Sequence, residues 1–112
     1  MQVVNRSVII IKPKESYLSW ANDVGQSMET LDEIRQQGTA ILVPESVYQD
    51  RGQEYLKQNF VRIFEIELEG WTPNKTQWPP ARDYDTFIDW FDIEVFALVL
   101  DSNGELLKEP YK

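Results

Sequence analysis

The chain has 112 residues and a mass of 13.2 kDa, enough for one buried core, and a single domain over 1–112 is expected. Hydrophobic residues at 42% exclude a disordered chain, and the absence of cysteine and histidine removes disulfides, thiolate chemistry, the commonest metal ligands and the commonest general base. A formal net charge of -8 argues against a nucleic-acid partner, because binding a phosphate backbone depends on lysine and arginine releasing counterions.

In chain order, Val3-Val4 and residues 7–11 (Ser-Val-Ile-Ile-Ile) are rich in β-branched side chains and stop at Lys12-Pro13, which predicts a first strand. Ser16 is placed to cap a short helix through Tyr17, Leu18, Trp20 and Ala21, with Gly25 as its stop. Thr30 with Glu33 resembles a capping box ahead of Leu31 and Ile34 and predicts a second, brief helix. Residues 39–43 read as a second strand stopped by Pro44. Asp50 with Gln53 offers another capping box, before a stripe of Leu56, Phe60, Ile63, Phe64 and Glu67 that marks the longest helix. Gly70 is expected to close it in a left-handed cap. From 71 to 82 the chain is irregular, and Trp78-Pro79-Pro80 can neither continue a helix nor fill an interior strand.

Residues 83–101 form the segment around which the rest is expected to be arranged. Tyr84, Phe87, Ile88 and Phe91 fall at helical spacing, then the period changes to two. Ile93, Val95, Ala97 and Val99 line one side of a strand and Phe96, Leu98 and Leu100 the other, which predicts a central strand covered on both faces. Either the 71–82 connection or another subunit would supply the second cover. Asn103-Gly104 suits a hairpin turn, with residues 106–108 returning as an edge strand. The expected fold is α+β: a two-layer sandwich with a three- to four-stranded mixed or antiparallel sheet and helices mainly on one face. A β-α-β start also permits a parallel crossover.

The segments Asn5-Arg6-Ser7 through Lys12-Pro13-Lys14, Phe64-Glu65 through Glu69-Gly70-Trp71, Trp78-Pro79, and Trp90-Phe91-Asp92-Ile93-Glu94 resemble a family of small bacterial proteins of unknown function. The resemblance implies a free-standing bacterial domain of similar topology and carries no activity, cofactor or catalytic residue. The chain departs from that pattern at Glu15-Ser16, where an apolar or proline-containing start to the first helix is expected.

No catalytic signature is visible: there is no Gly-rich phosphate loop, no Ser-His-Asp set and no Cys-His set, so no catalytic residue and no cofactor are assigned. Asp83, Asp85, Asp89, Asp92, Glu94, Asp101 and Glu105 follow one another without a lysine or arginine between them. They read as a solvated face and helix-start charges, and no metal ligand is assigned among them. Glu65, Glu67 and Glu69 crowd the end of the long helix where anions are disfavoured, so pairing with Arg62, Lys57, Arg6 or Lys12 is expected. Glu67, which lies on the apolar stripe, should be buried and paired if it turns inward. The leading functional reading is a non-enzymatic protein-binding or regulatory module whose contact surface comprises Trp71, Trp78, Asp85, Asp89 and Trp90, with self-association left open. The alternative is a carboxylate- or metal-dependent enzyme using the 83–94 cluster on a small substrate. Residues 1–5 carry no positive n-region, the apolar run 8–11 is too short for a leader, and the longest such run, 95–100, falls far short of a membrane helix, so the cytoplasm is the expected compartment and no membrane partner is assigned.

Overall fold

A computed structural model describes residues 1–48 and 50–103. The element order is β1 (Gln2–Val3), β2 (Arg6–Pro13), α1 (Glu15–Gly25), α2 (Leu31–Arg35), β3 (Thr39–Pro44), α3 (Arg51–Glu69), a 3₁₀ turn (Lys75–Gln77), α4 (Tyr84–Trp90), β4 (Phe91–Phe96) and β5 (Leu100–Asp101). The strands form two antiparallel sheets, one of order β3-β2-β4 and one pairing β1 with β5, so the fold is α+β. The hairpin and return strand expected after Asn103 lie outside the described residues.

The central strand is β2, not the 93–100 segment. Its consecutive isoleucines face both ways: Ser7, Ile9 and Ile11 are buried on the inner face, while Val8 and Ile10 are half-buried on the outer one. β4 sits at the sheet edge because its outward positions carry Asp92 and Glu94, which need water or a counter-charge, and only Phe91, Ile93 and Val95 turn inward. The chain bends after Phe96 and resumes as β5 beside β1. The long apolar alternation thus belongs to two strands in two sheets, which is why it reads as one central strand. The crossover is antiparallel as well, since α1 and α2 return the chain to the end of β2 it left, pairing Thr39 with Ile11.

All four α-helices pack on the inner face, around Ile9, Ile11, Val43, Leu56, Phe64, Leu68, Phe87 and Phe91. α3 supplies Leu56 and Phe64 from the predicted stripe and Leu68 from outside it, each side chain contributing about 1.5–3 kcal/mol when fully buried. The helix ends follow local chemistry only in part. Thr30 and Glu33 make the full capping box of α2, and the Asp83 carboxylate accepts from Thr86 to start α4. Asp50 precedes α3 without a side-chain cap bond, and Gly70 is right-handed rather than left-handed. The left-handed residue is Gln26 (φ 50°), one position after Gly25. α1 begins at Glu15, with Lys14 at its cap position and Ser16 inside the helix.

The 71–82 connection folds onto the helix side. Trp78 is buried and its indole Nε1 donates to the Thr72 carbonyl (3.0 Å), while Trp20 Nε1 donates to the Gln77 carbonyl (2.8 Å). It therefore leaves the outer sheet face uncovered.

Gly52 lies where α3 crosses β4, and a Cβ added there would fall inside the van der Waals envelope of Val95 Cγ2. Ordinary helix propensity favours alanine by about 1 kcal/mol, but overpacking a core contact costs about 1–3 kcal/mol. Gly52→Ala is therefore expected to lower the stability measured by urea unfolding by about 1–2 kcal/mol.

Candidate functional site

Of the five residues expected to form one contact surface, Trp78 and Trp90 are buried. Trp90 is buried and packs against Tyr17 (5.8 Å between ring centroids), Trp20 (5.6 Å) and Phe64 (5.5 Å). Trp78 is a second core residue, with Lys75 and Arg82 stacked over its remaining edge. Asp85 is exposed on α4, and Asp89 accepts from the Ser16 hydroxyl (2.9 Å). Trp71 alone is half-buried against a cavity.

The acidic cluster is divided among separate partners rather than gathered. Asp83 caps α4, and its bonds from the Thr86 amide and hydroxyl hold its carboxyl below the usual range. Asp92 pairs with Arg35 (2.8 Å) and Glu94 with Lys12 (3.2 Å). Among the described residues no group of three or more carboxylates is placed to hold a metal ion, which removes the geometry that a metal-dependent reading of residues 83–94 requires.

Two other features have the character of binding sites. On the outer sheet face, register places Leu42, Val8 and Phe96 in one row and Ala40, Ile10 and Glu94 in the next. Leu42 and Phe96 each keep 47% of their surface exposed. Beyond that row, Leu42 meets Val4, Val99 and Leu100 around a groove of about 260 Å³, where the Val4 amide donates to the Val99 carbonyl (2.8 Å) and continues the β1–β5 pairing. Sequence periodicity shows which β2 and β3 residues share a face, but not that helices leave this face open.

The second feature is a cavity of about 440 Å³ between the C-terminal end of α3, α1, α2 and the start of β3. Glu67 points inward there, as its place on the helix stripe predicts, and accepts a hydrogen bond from the Thr39 hydroxyl. Its expected ion pair is absent among the described residues: Arg62 serves Glu65 and Glu69, and Lys12 serves Glu94. The Tyr17 hydroxyl donates to the Glu67 carbonyl (3.3 Å), and Trp71 lines the same cavity. Burial, reinforced by the Glu67 charge, pushes the Tyr17 phenol well above its ordinary value. Tyr17 and Thr39 give no sign of this role in the sequence, because each is a residue type that strands and helices carry for packing or capping alone.

No family model, curated protein or solved structure matches the chain.

Burial pushes the Glu67 carboxyl above the ordinary glutamate value, and the Thr39 hydroxyl offsets part of the effect. Between the ordinary and the raised value the folded chain therefore holds more protons than the unfolded one, and stability falls as pH rises through that window. The destabilisation is absent below the ordinary value and fully present above the raised one. Glu67→Gln keeps an acceptor for Thr39 and removes the charge, so it should raise the urea midpoint at pH 7. The gain should vanish in titrations carried below the ordinary glutamate value, and a pH-independent gain would contradict the assignment.

Proposed function

We propose that this chain is a small acidic cytoplasmic module that works by binding protein, with the outer face of the β3-β2-β4 sheet as its contact surface and a second copy of the chain as the occupant. The single observation behind this reading is the row Leu42–Val8–Phe96, which neither the helices nor the 71–82 connection covers. Exposed apolar patches of this kind mark interaction surfaces when they are contiguous. Electrostatics favour a like partner here. Although the net charge is -8, the outer face carries Arg6 and Lys12 beside Asp92 and Glu94, so two copies can meet there without strong repulsion.

Area decides how much of the molecule must take part. Three strands of about six residues present a face of roughly 300 Å², well short of the ~800 Å² per partner that stable interfaces bury. The β1–β5 arm supplies further apolar surface through Val3, Leu98 and Leu100, all more than half exposed. Both parts therefore belong to the contact. Among the described residues no helix is long and apolar enough to cross a membrane.

Sedimentation velocity across a concentration series tests this reading. The unmodified chain should sediment as a dimer at tens of micromolar, roughly the range of weak but specific interfaces. Leu42→Glu and Leu100→Glu should each weaken association about tenfold or more, while changing the unfolding free energy of the monomer by less than about 1 kcal/mol. A chain that remains monomeric at about 1 mM would overturn the assignment.

A further inference from the structure

The cavity beneath Trp71 is independent of the outer sheet face, and its chemistry selects a different kind of ligand. Its volume of about 440 Å³ falls within the range of small-molecule sites. Ile34, Ile66, Pro13 and the Trp71 ring make most of the wall apolar, and the carboxylate of Glu67 is the one charged group lining it. Neither lysine nor arginine lines the cavity, and Glu67 has no ion pair among the described residues. Thr39 bonds one carboxylate oxygen, Oε1. An isolated carboxylate in an apolar setting is costly unless something supplies the opposite charge.

The walls are fixed in advance. A Cβ at Gly25 would fall 2.9 Å from the Trp71 ring, so the indole lies directly on the α1 backbone. Trp71 and Tyr17 line the same cavity, and the Tyr17 hydroxyl bonds the backbone carbonyl of Glu67. The ring and the carboxylate thus border one cavity. An indole face beside an anion is a favourable seat for a cationic head group, which gains both from the charge and from the ring quadrupole. Gln37 adds an amide at the rim that can accept a further N–H.

We propose that this cavity binds an organic cation, an alkylammonium or guanidinium head on a short apolar body, with Glu67 as its counter-ion and Trp71 as the flanking ring. A free amine and the lysine or arginine side chain of a protein share this chemistry. Ligand binding would supply the charge that folding alone leaves unmatched at Glu67.

The test is a titration of the full chain with benzylammonium, agmatine, the capped tripeptide acetyl-Gly-Lys-Gly-amide, and the neutral analogue benzyl alcohol. Calorimetry and the indole N–H resonance of Trp71, assigned with Trp71→Phe, provide two readouts. Saturable binding of at least one cation, at least tenfold tighter than benzyl alcohol, is expected, with a further loss of about tenfold in Glu67→Gln. Tighter binding of the tripeptide identifies a protein side chain as the source, and tighter binding of benzylammonium or agmatine a free amine. The comparison with benzyl alcohol reads the charge dependence on the unmodified chain, so it stands even if a variant misfolds. No saturable binding of any cation to about 10 mM, or equal binding of benzyl alcohol, overturns the proposal.

Discussion

The architecture depends on the peptide link between Trp90 and Phe91, where α4 passes into β4 without a loop. Both residues are buried, and the Lys14 amide donates to the Trp90 carbonyl (2.8 Å), tying the start of α1 to the end of α4. The Phe91 ring then packs against Phe87 (5.0 Å), Tyr17 (5.1 Å) and Phe64 (6.0 Å), so one residue joins three helices to the edge of the sheet. Such tilted and edge-on aromatic contacts add about 0.5–1.5 kcal/mol each beyond the area they bury. Because Phe91 pairs with Pro13, this contact also fixes the register of β4 on β2 and with it the face on which Ile93 and Val95 lie.

Much of this is legible in the sequence where a local rule and the tertiary fold agree. The isoleucines of β2, the Thr30–Glu33 box, the stripe of α3 and the change of period at Phe91 each specify their element without help from distant residues. Strand order is different, because it depends on which outward positions can tolerate water. The alternation from Ile93 to Leu100 looks uniform, yet Asp92 and Glu94 place the first half at an edge, and the bend after Phe96 sends the second half to another sheet. The cap at Thr30 is legible because its side chain completes it, whereas Ser16 and Asp50 carry capping side chains that make no cap bond, and the left-handed residue is Gln26 rather than Gly70. Gly25 and Gly52 are small because Trp71 and Val95 occupy the adjacent space, a reason no local pattern encodes.

The same division holds for the candidate sites. Tryptophans in an irregular connection suggest an interface, but Trp78 is buried and Trp90 belongs to the aromatic core, so only Trp71 reaches a cavity. The acidic surplus near the C-terminal end of the described chain is largely used for structure: Asp83 starts a helix, and Asp89, Asp92 and Glu94 bind Ser16, Arg35 and Lys12. Glu67 is the exception, and its position was visible as the one charge in a stripe of hydrophobic residues. What the sequence could not show is that Thr39 and Tyr17, from opposite ends of the α1–α2 excursion, would meet it.

Strand β2 pairs with β4 across most of the described residues, as the partnership of Val8 with Phe96 shows. During synthesis the ribosome therefore releases the middle strand of the sheet before both of its neighbours, and β4 only after β3 and α3. Until residue 96 has cleared the exit tunnel, the isoleucines of β2 can zip only to β3, and that two-stranded ribbon must keep its second hydrogen-bonding edge from other nascent chains.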